Sequence, residues 1–311
     1  MGGTASKVQA AQEANAKAGS LAGKQALVVG ATAGIGRALA VRLAAGGASV
    51  TIVGRNADAG AEVLNAMKEA AKESDGADAA KFAFLRYDVM LLANAKKMAA
   101  EFASAGRLDY LVFCQTKATL QGYTPTPEGI DEKLALNFYT RVFLAKELAP
   151  LMSKSDDPRV LTVLSAGAHP SYAGYAEDPY LEKHYGQKAA ADLTSFYSDL
   201  WVDWAAAEMP KATFVHACPG FVATNWGTDM PTPVRWLIRG LQATVARDAS
   251  KCAELIGQGL LSPELKGGAR HIGEYGQPVP RTSLHTPDAV ATVKKATWEL
   301  LDKAAGKSSQ E

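Results

Sequence analysis

The sequence predicts an α/β fold: a doubly wound parallel sheet covered by helices on both faces, three layers in one domain. Two observations carry that expectation. From Lys24 onward, short runs rich in Val, Leu and Phe recur without strict alternation, as a sheet buried on both faces requires. These runs alternate with helical stretches, which implies right-handed crossovers and parallel pairing. No composition break interrupts 24–300. A single domain over 23–305 is therefore expected, between a flexible tail at 1–22 and a C-terminal tail at 306–311.

In chain order, QALVVG (25–30) reads as a buried strand and 34–46 as the helix after it. ASVTIV (48–53) is the second strand, with a helix over 57–73. KFAFLRYD (81–88) is the third, followed by a helix near 92–105 and the strand LDYLVF (108–113). A long helix fits 128–153, then strand RVLTVLS (159–165), a helix from about 184 to 207, and strand KATFVHACP (211–219). Residues 221–250 break the rhythm with Trp226, Met230, Pro231, Pro233 and Trp236, and read as an inserted substrate lobe. A C-terminal helix is expected near 286–305.

Composition narrows the function classes. The 311-residue chain is 48% hydrophobic and 21% charged with a formal net charge of +1. It offers no basic excess for neutralising nucleic-acid phosphates. Cys114, Cys218 and Cys252 are far apart and form no C-x-x-C, so neither a disulfide framework nor a metal site is expected, and a reducing, cytoplasmic setting fits. No apolar run approaches the roughly 18–20 residues of a membrane span. MGGTAS matches the M-G-x-x-x-[ST] pattern for acylation of Gly2. It also reads as a Gly/Ala/Ser tail. A single acyl chain would give only weak peripheral membrane contact, with K on the order of 10⁴ per molar.

The strongest motif is VVGATAGIGRALA (28–40). A strand ends at Gly30, the chain turns through Gly34, Ile35 and Gly36, and an apolar helix begins. Glycines let backbone approach a pyrophosphate, and the helix start supplies unpaired N–H groups. Thr32 adds a hydroxyl within reach of a ribose or phosphate. The second strand ends in VGRN (53–56), where an acidic residue would bind the 2′-hydroxyl of NAD. Gly54 and Arg55 stand there instead, with Asn56 next, and a guanidinium suits a 2′-phosphate. NADP(H) is the cofactor this pattern favours.

On these residues the chain resembles the short-chain dehydrogenase/reductase family over about 24–275, which implies a Rossmann-type fold. GATAGIG matches the family's first motif. YDV (87–89) resembles the strand end that contacts adenine, implicating Asp88 and Val89. Asn137 in LALNFYTRVFL matches the asparagine of the proton relay, and VLTVLSAG (160–167) places the catalytic serine at Ser165. CPGFVAT (218–224) matches the turn lining the nicotinamide, implicating Pro219, Gly220, Val222 and Thr224. The resemblance implies hydride transfer between NADPH and a carbonyl or alcohol, and a homodimer or tetramer. The alternative is a catalytically degenerate NADP(H)-binding module. Phe221, Trp226, Met230, Trp236 and Leu237 suggest an apolar substrate and equally suit a lobe seal or subunit contact.

Two departures stand out. The family's N-N-A-G falls on Phe113, Cys114, Gln115 and Thr116. The family's Tyr-x-x-x-Lys falls on HYGQK (184–188), where Tyr185 and Lys188 are only three apart. Lys188 is expected to bond the nicotinamide ribose and lower the tyrosine pKa. On a helix, positions three and four apart share a face but differ by roughly 100° of arc. Three readings stay open: Tyr185 reaches the site from a loose first turn, His184 replaces it, or the relay is broken. Residues 168–183 look like an inserted loop that could instead supply Tyr175 or Tyr180.

Overall fold

The computed structural model describes residues 3–223 and 246–308, together with Thr232 and Trp236. Its centre is a seven-stranded parallel sheet in the order β3-β2-β1-β4-β5-β6-β7. The strands are β1 (Gln25–Val29), β2 (Ser49–Gly54), β3 (Phe82–Arg86), β4 (Tyr110–Phe113), β5 (Arg159–Val163), β6 (Thr213–Ala217) and β7 (Gly268–Ile272). The doubly wound expectation is met. The order reverses between β1 and β4, and that reversal opens a crevice beyond the strand ends where ligands of such sheets bind.

Helices cover both faces because the central strands are apolar on both. Val28, Ile52, Val112 and Leu161 join one core with α2 (Gly34–Ala45) and α3 (Ala57–Ala71). Leu27, Leu111, Phe113 and Val160 join the other, with α4 (Leu92–Phe102) and α6 (Thr140–Met152). α7 (Gln187–Glu208) contributes Phe196, Leu200 and Trp201 to that second core, and α9 (Pro287–Ser308) contributes Val293 and Leu301. α8 (Ala249–Leu261) seals the first core with Ile256 and Leu260. Among the described residues no helix is long and apolar enough to cross a membrane.

Three features depart from expectation. The segment 1–22 contains a docked helix rather than only a tail: α1 (Thr4–Ala16) lies on α8, burying Val8 and Ala11. Asn15 Nδ2 donates to the Glu254 carbonyl at 2.8 Å, and Lys7 Nζ sits 3.7 Å from the Tyr275 ring centroid. Gly2 lies outside the described residues. The helix expected at 128–153 starts later, with α5 (Glu132–Leu134), and passes through a π-helical stretch at Ala135–Tyr139 before α6. π-helical turns often mark functional sites, and this one carries Asn137.

The third departure matters most for the site. α7 begins at Gln187, after Tyr185, with Gly186 as its N-cap residue. The Asp178 carboxylate accepts the backbone N–H groups of Glu182 (2.9 Å), Lys183 (3.1 Å) and His184 (3.0 Å). Those residues are thereby held in a turn ahead of the helix. The first helical turn therefore does not absorb the missing residue.

Candidate active site

The crevice is a cavity of about 1070 Å³ over the ends of β1, β2, β4 and β5. Its floor is the glycine turn. Gly30 has φ of +80°, and a Cβ there would lie 2.4 Å from the Gln115 backbone nitrogen. Gly36 has no room for a side chain either, since its Cβ would meet the Gly30 carbonyl oxygen at 2.3 Å. α2 therefore starts close against the end of β1. Its N-cap residue, Ala33, makes no side-chain hydrogen bond, so the first-turn N–H groups at Gly34, Ile35 and Gly36 face the cavity uncapped. A helix start of this kind can cradle a pyrophosphate.

The next wall comes from β2 and β3. A side chain at position 54 would place its Cβ 2.4 Å from Thr32 Cγ2, so an acid could not stand there without displacing Thr32. Arg55 is 70% exposed and 3.7 Å from Asp88 Oδ2, a surface pair that contributes little and leaves the guanidinium free to take a phosphate. Asn56 also lines the cavity, although its Oδ1 accepts the Ala59 N–H at 3.1 Å as the N-cap of α3. Asp88 and Val89 line the same wall, with Asp88 Oδ1 accepting the Met90 N–H at 3.1 Å.

Ser165, Asn137, Pro219, Gly220, Phe221 and Val222 line the opposite end. The Ser165 backbone N–H donates to His216 Nε2 at 3.1 Å, and its carbonyl accepts the Ser195 hydroxyl at 2.9 Å. Asn137 Oδ1 accepts the Thr116 hydroxyl (3.0 Å) and the Lys117 N–H (2.9 Å). It thus fastens the loop after β4. Thr224, Trp226, Met230, Pro231, Pro233 and Leu237 lie outside the described residues. Trp236 is exposed.

The structure does not bring Tyr185 and Lys188 to this cavity. Its helical wall is Gln187, Ala190, Ala191 and Thr194, the i, i+3, i+4, i+7 face of a helix. The i, i+4 pair turned inward is therefore Gln187–Ala191. Lys188, about 100° around the axis from Gln187, is 75% exposed and pairs with Asp192. Tyr185 lies before the helix, packs edge-on against Tyr123 (centroids 5.5 Å apart), and donates its hydroxyl to Asp131 Oδ1 at 3.2 Å. Burial, and then the Asp131 carboxylate, raise its pKa even though Lys133 Nζ lies 5.2 Å from its ring centroid. His184 has an 81% exposed side chain and sits 3.5 Å from Asp178 Oδ2. Neither it nor Tyr175 nor Tyr180 lines the cavity.

A family model for short chain dehydrogenases matches residues 24–232. This chain belongs to the short chain dehydrogenase family. It is 29% identical over 227 residues to an oxidoreductase of Emericella nidulans, covering 72% of this chain and 66% of that protein. It is 28% identical over 271 residues to a polyprenol dehydrogenase of Mus musculus, covering 83% of this chain and 78% of that one. Among solved structures, a short chain dehydrogenase from Burkholderia cenocepacia in complex with NADP superposes with a TM-score of 0.58 at 21% identity, over 82% of this chain and 98% of that one. At that identity the likeness establishes the fold.

Within the family frame, the cavity wall also holds residues that motif reading missed: Lys117, Lys133, His169 and Gln187. Lys133 Nζ donates to Gln187 Oε1 at 3.0 Å, and Lys117 Nζ lies 2.6 Å from Glu132 Oε2. Behind the wall, the buried Arg141 donates to Thr162 Oγ1 (2.6 Å), the Val163 carbonyl (3.0 Å) and the Gln115 carbonyl. It staples the ends of β4 and β5 at the crevice. No motif announced Arg141, because an arginine four residues after Asn137 in an apolar helix reads as a solvated side chain.

Proposed function

We propose that the chain is an NADP(H)-dependent oxidoreductase that moves hydride between NADPH and the carbonyl or alcohol carbon of an apolar substrate. One observation carries the reading. The uncapped start of α2, the exposed Arg55 and Ser165 all line a single crevice at the switch point of the sheet. The glycine cradle would hold the pyrophosphate and Arg55 the 2′-phosphate, with Ser165 and the Pro219–Val222 turn around the nicotinamide. Bound there, the cofactor supplies the hydride, and the protein's residues supply orientation and the proton. Leu120 and Phe221, both exposed, line the mouth and suit an apolar substrate. Relatives named as dehydrogenases of polyprenol and of 3β-hydroxysteroid agree with that substrate class.

A second reading has its own support: Tyr185 and Lys188 lie off the cavity wall, as in a module that binds NADP(H) without turnover. NADPH fluorescence titration combined with a panel of lipophilic ketones and aldehydes separates the two, since binding without NADPH oxidation favours the module. The cofactor assignment has its own test. Arg55→Ser is expected to weaken NADPH about 10–100-fold while leaving NADH unchanged, as loss of charge-assisted bonds to a phosphate requires. Equal losses for both cofactors would remove Arg55 from the 2′-phosphate site.

A further inference from the structure

We propose that His169, oriented by Asp192, is the proton-exchanging group of this site, in place of the family's tyrosine. The inference rests on the oxidoreductase reading above. His169 follows Ser165 by four residues on the loop after β5, where the Ala168 N–H closes a turn on the Ser165 carbonyl at 2.9 Å. Both Ser165 and His169 line the cavity, and the imidazole is 38% exposed.

The carboxylate behind it is built in. Asp192 is buried, at 8% exposure, and its Oδ1 has no hydrogen-bond partner among the described residues. That oxygen lies 3.5 Å from His169 Nδ1, and hydrogen bonds of catalytic groups often tighten only with substrate bound. Asp192 Oδ2 is taken by Lys188, one turn earlier on α7. The lysine that no longer faces the cavity therefore fixes the carboxylate that does face the histidine. With Nδ1 directed at Asp192, Nε2 is the ring nitrogen left for the cavity. The lysines on the wall are engaged elsewhere, Lys133 with Gln187 and Lys117 with Glu132.

In the reducing direction the carbonyl carbon would take the hydride that a bound NADPH supplies, while the Nε2–H bond of the imidazolium breaks and its proton passes to the carbonyl oxygen. The products are NADP⁺, an alcohol and neutral imidazole. In oxidation, neutral Nε2 accepts the hydroxyl proton. His169 is the catalytic residue here; Asp192 and Lys188 are positioning residues.

The test joins binding, labelling and turnover. His169→Ala should bind NADPH within about threefold of the wild type, lose about 10²–10³-fold in kcat, and recover on addition of imidazole. His169→Gln replaces it if the alanine variant fails to bind NADPH. Asp192→Asn should lower kcat in the wild-type background and have no further effect in His169→Ala, since the two act as one unit. Independently of turnover, NADP⁺ should protect His169 from diethyl pyrocarbonate and leave His184 unprotected. Wild-type turnover by His169→Ala and by His169→Gln, or His169 labelling indifferent to NADP⁺, overturns the assignment. A wild-type chain that binds NADPH but reduces nothing overturns the oxidoreductase reading beneath it.

Discussion

Gly30→Ala is expected to raise the NADPH dissociation constant at least 100-fold. The left-handed φ of +80° strains any residue with a Cβ, costing about 1 kcal/mol or more. The collision is the larger effect: the new Cβ would sit 2.4 Å from the Gln115 nitrogen. That backbone cannot retreat freely, because the Cys114 N–H is bonded to the Val29 carbonyl at 2.8 Å and the Gln115 carbonyl is held by Arg141. The strand ends must part, and the pyrophosphate cradle opens with them. Gly36→Val should act alike by pushing α2 off the Gly30 carbonyl. Gly122→Ala, where a Cβ would meet nothing within 4 Å, serves as the control and should bind like the wild type. NADPH fluorescence titration reads all three; wild-type affinity in Gly30→Ala would mean that the turn is not the cofactor cradle.

Asp199→Ala is expected to destabilise the fold strongly. The Asp199 carboxylate lies 2.6 Å from His216 Nδ1, 3.3 Å from His285 Nε2 and 3.6 Å from His271 Nε2. His216 in turn accepts the Ser165 N–H, so the cluster supports the loop that carries the site. Removing the carboxylate strands His216 Nδ1 and His285 Nε2, whereas His271 Nε2 keeps the backbone carbonyl of residue 199 at 3.2 Å; the loss is about 3–5 kcal/mol for a broken buried pair. At about 2–4 °C per kcal/mol for a domain of this size, the melting midpoint should fall by roughly 10 °C. A fall of less than about 3 °C would show the cluster to be slack.

The same cluster sets a pH dependence whose sign is fixed by its shifts. The three histidines, His216 most strongly, hold Asp199 well below the usual carboxylate range against the opposing effect of burial. Its contribution is present above the unfolded pKa of about 3.9 and is lost only as pH falls toward the lower folded value. Burial pushes His271 down to about 4, so between about pH 6.5 and 4 the unfolded chain binds the extra proton and acidification destabilises the fold. Asp203, raised by burial to about 6, works in the opposite direction over about pH 4–6. His271→Asn isolates the histidine. Relative to the wild type it should gain on the order of 2 kcal/mol between pH 7.5 and pH 5, measured by denaturant melts at both pH values. A constant difference would contradict the assignment.

The sheet was legible because its signals are local: six apolar runs, the first five each followed by a helical stretch, and a glycine turn after the first. β7 (Gly268–Ile272) escaped because GARHI carries two polar side chains in five residues and pairs only at an edge. α8 escaped because it follows a segment whose prolines and tryptophans drew the eye to an insertion. α1 escaped because its seam is narrow, Val8 and Ala11 against a surface that only the folded chain supplies.

The lining of the cavity was legible for the same reason as the sheet, since most of the motifs sit at strand ends. The proton donor was not. Whether Lys188 faces in or out depends on where α7 starts. That start is set by Asp178 gathering the N–H groups of Glu182, Lys183 and His184, a contact no spacing rule contains. His169 was hidden in a loop, and its partner Asp192 lies 23 positions further on.

The proposed activity is hydride transfer from NADPH held in this crevice. It is tested most directly by incubating the full chain with NADPH deuterated at nicotinamide C4, in each stereochemistry, and a set of lipophilic ketones. Mass spectrometry of the products then reads the label. One deuterium is expected on the carbinol carbon from one of the two labelled cofactors. NADPH that binds while no product from any ketone carries label would contradict it.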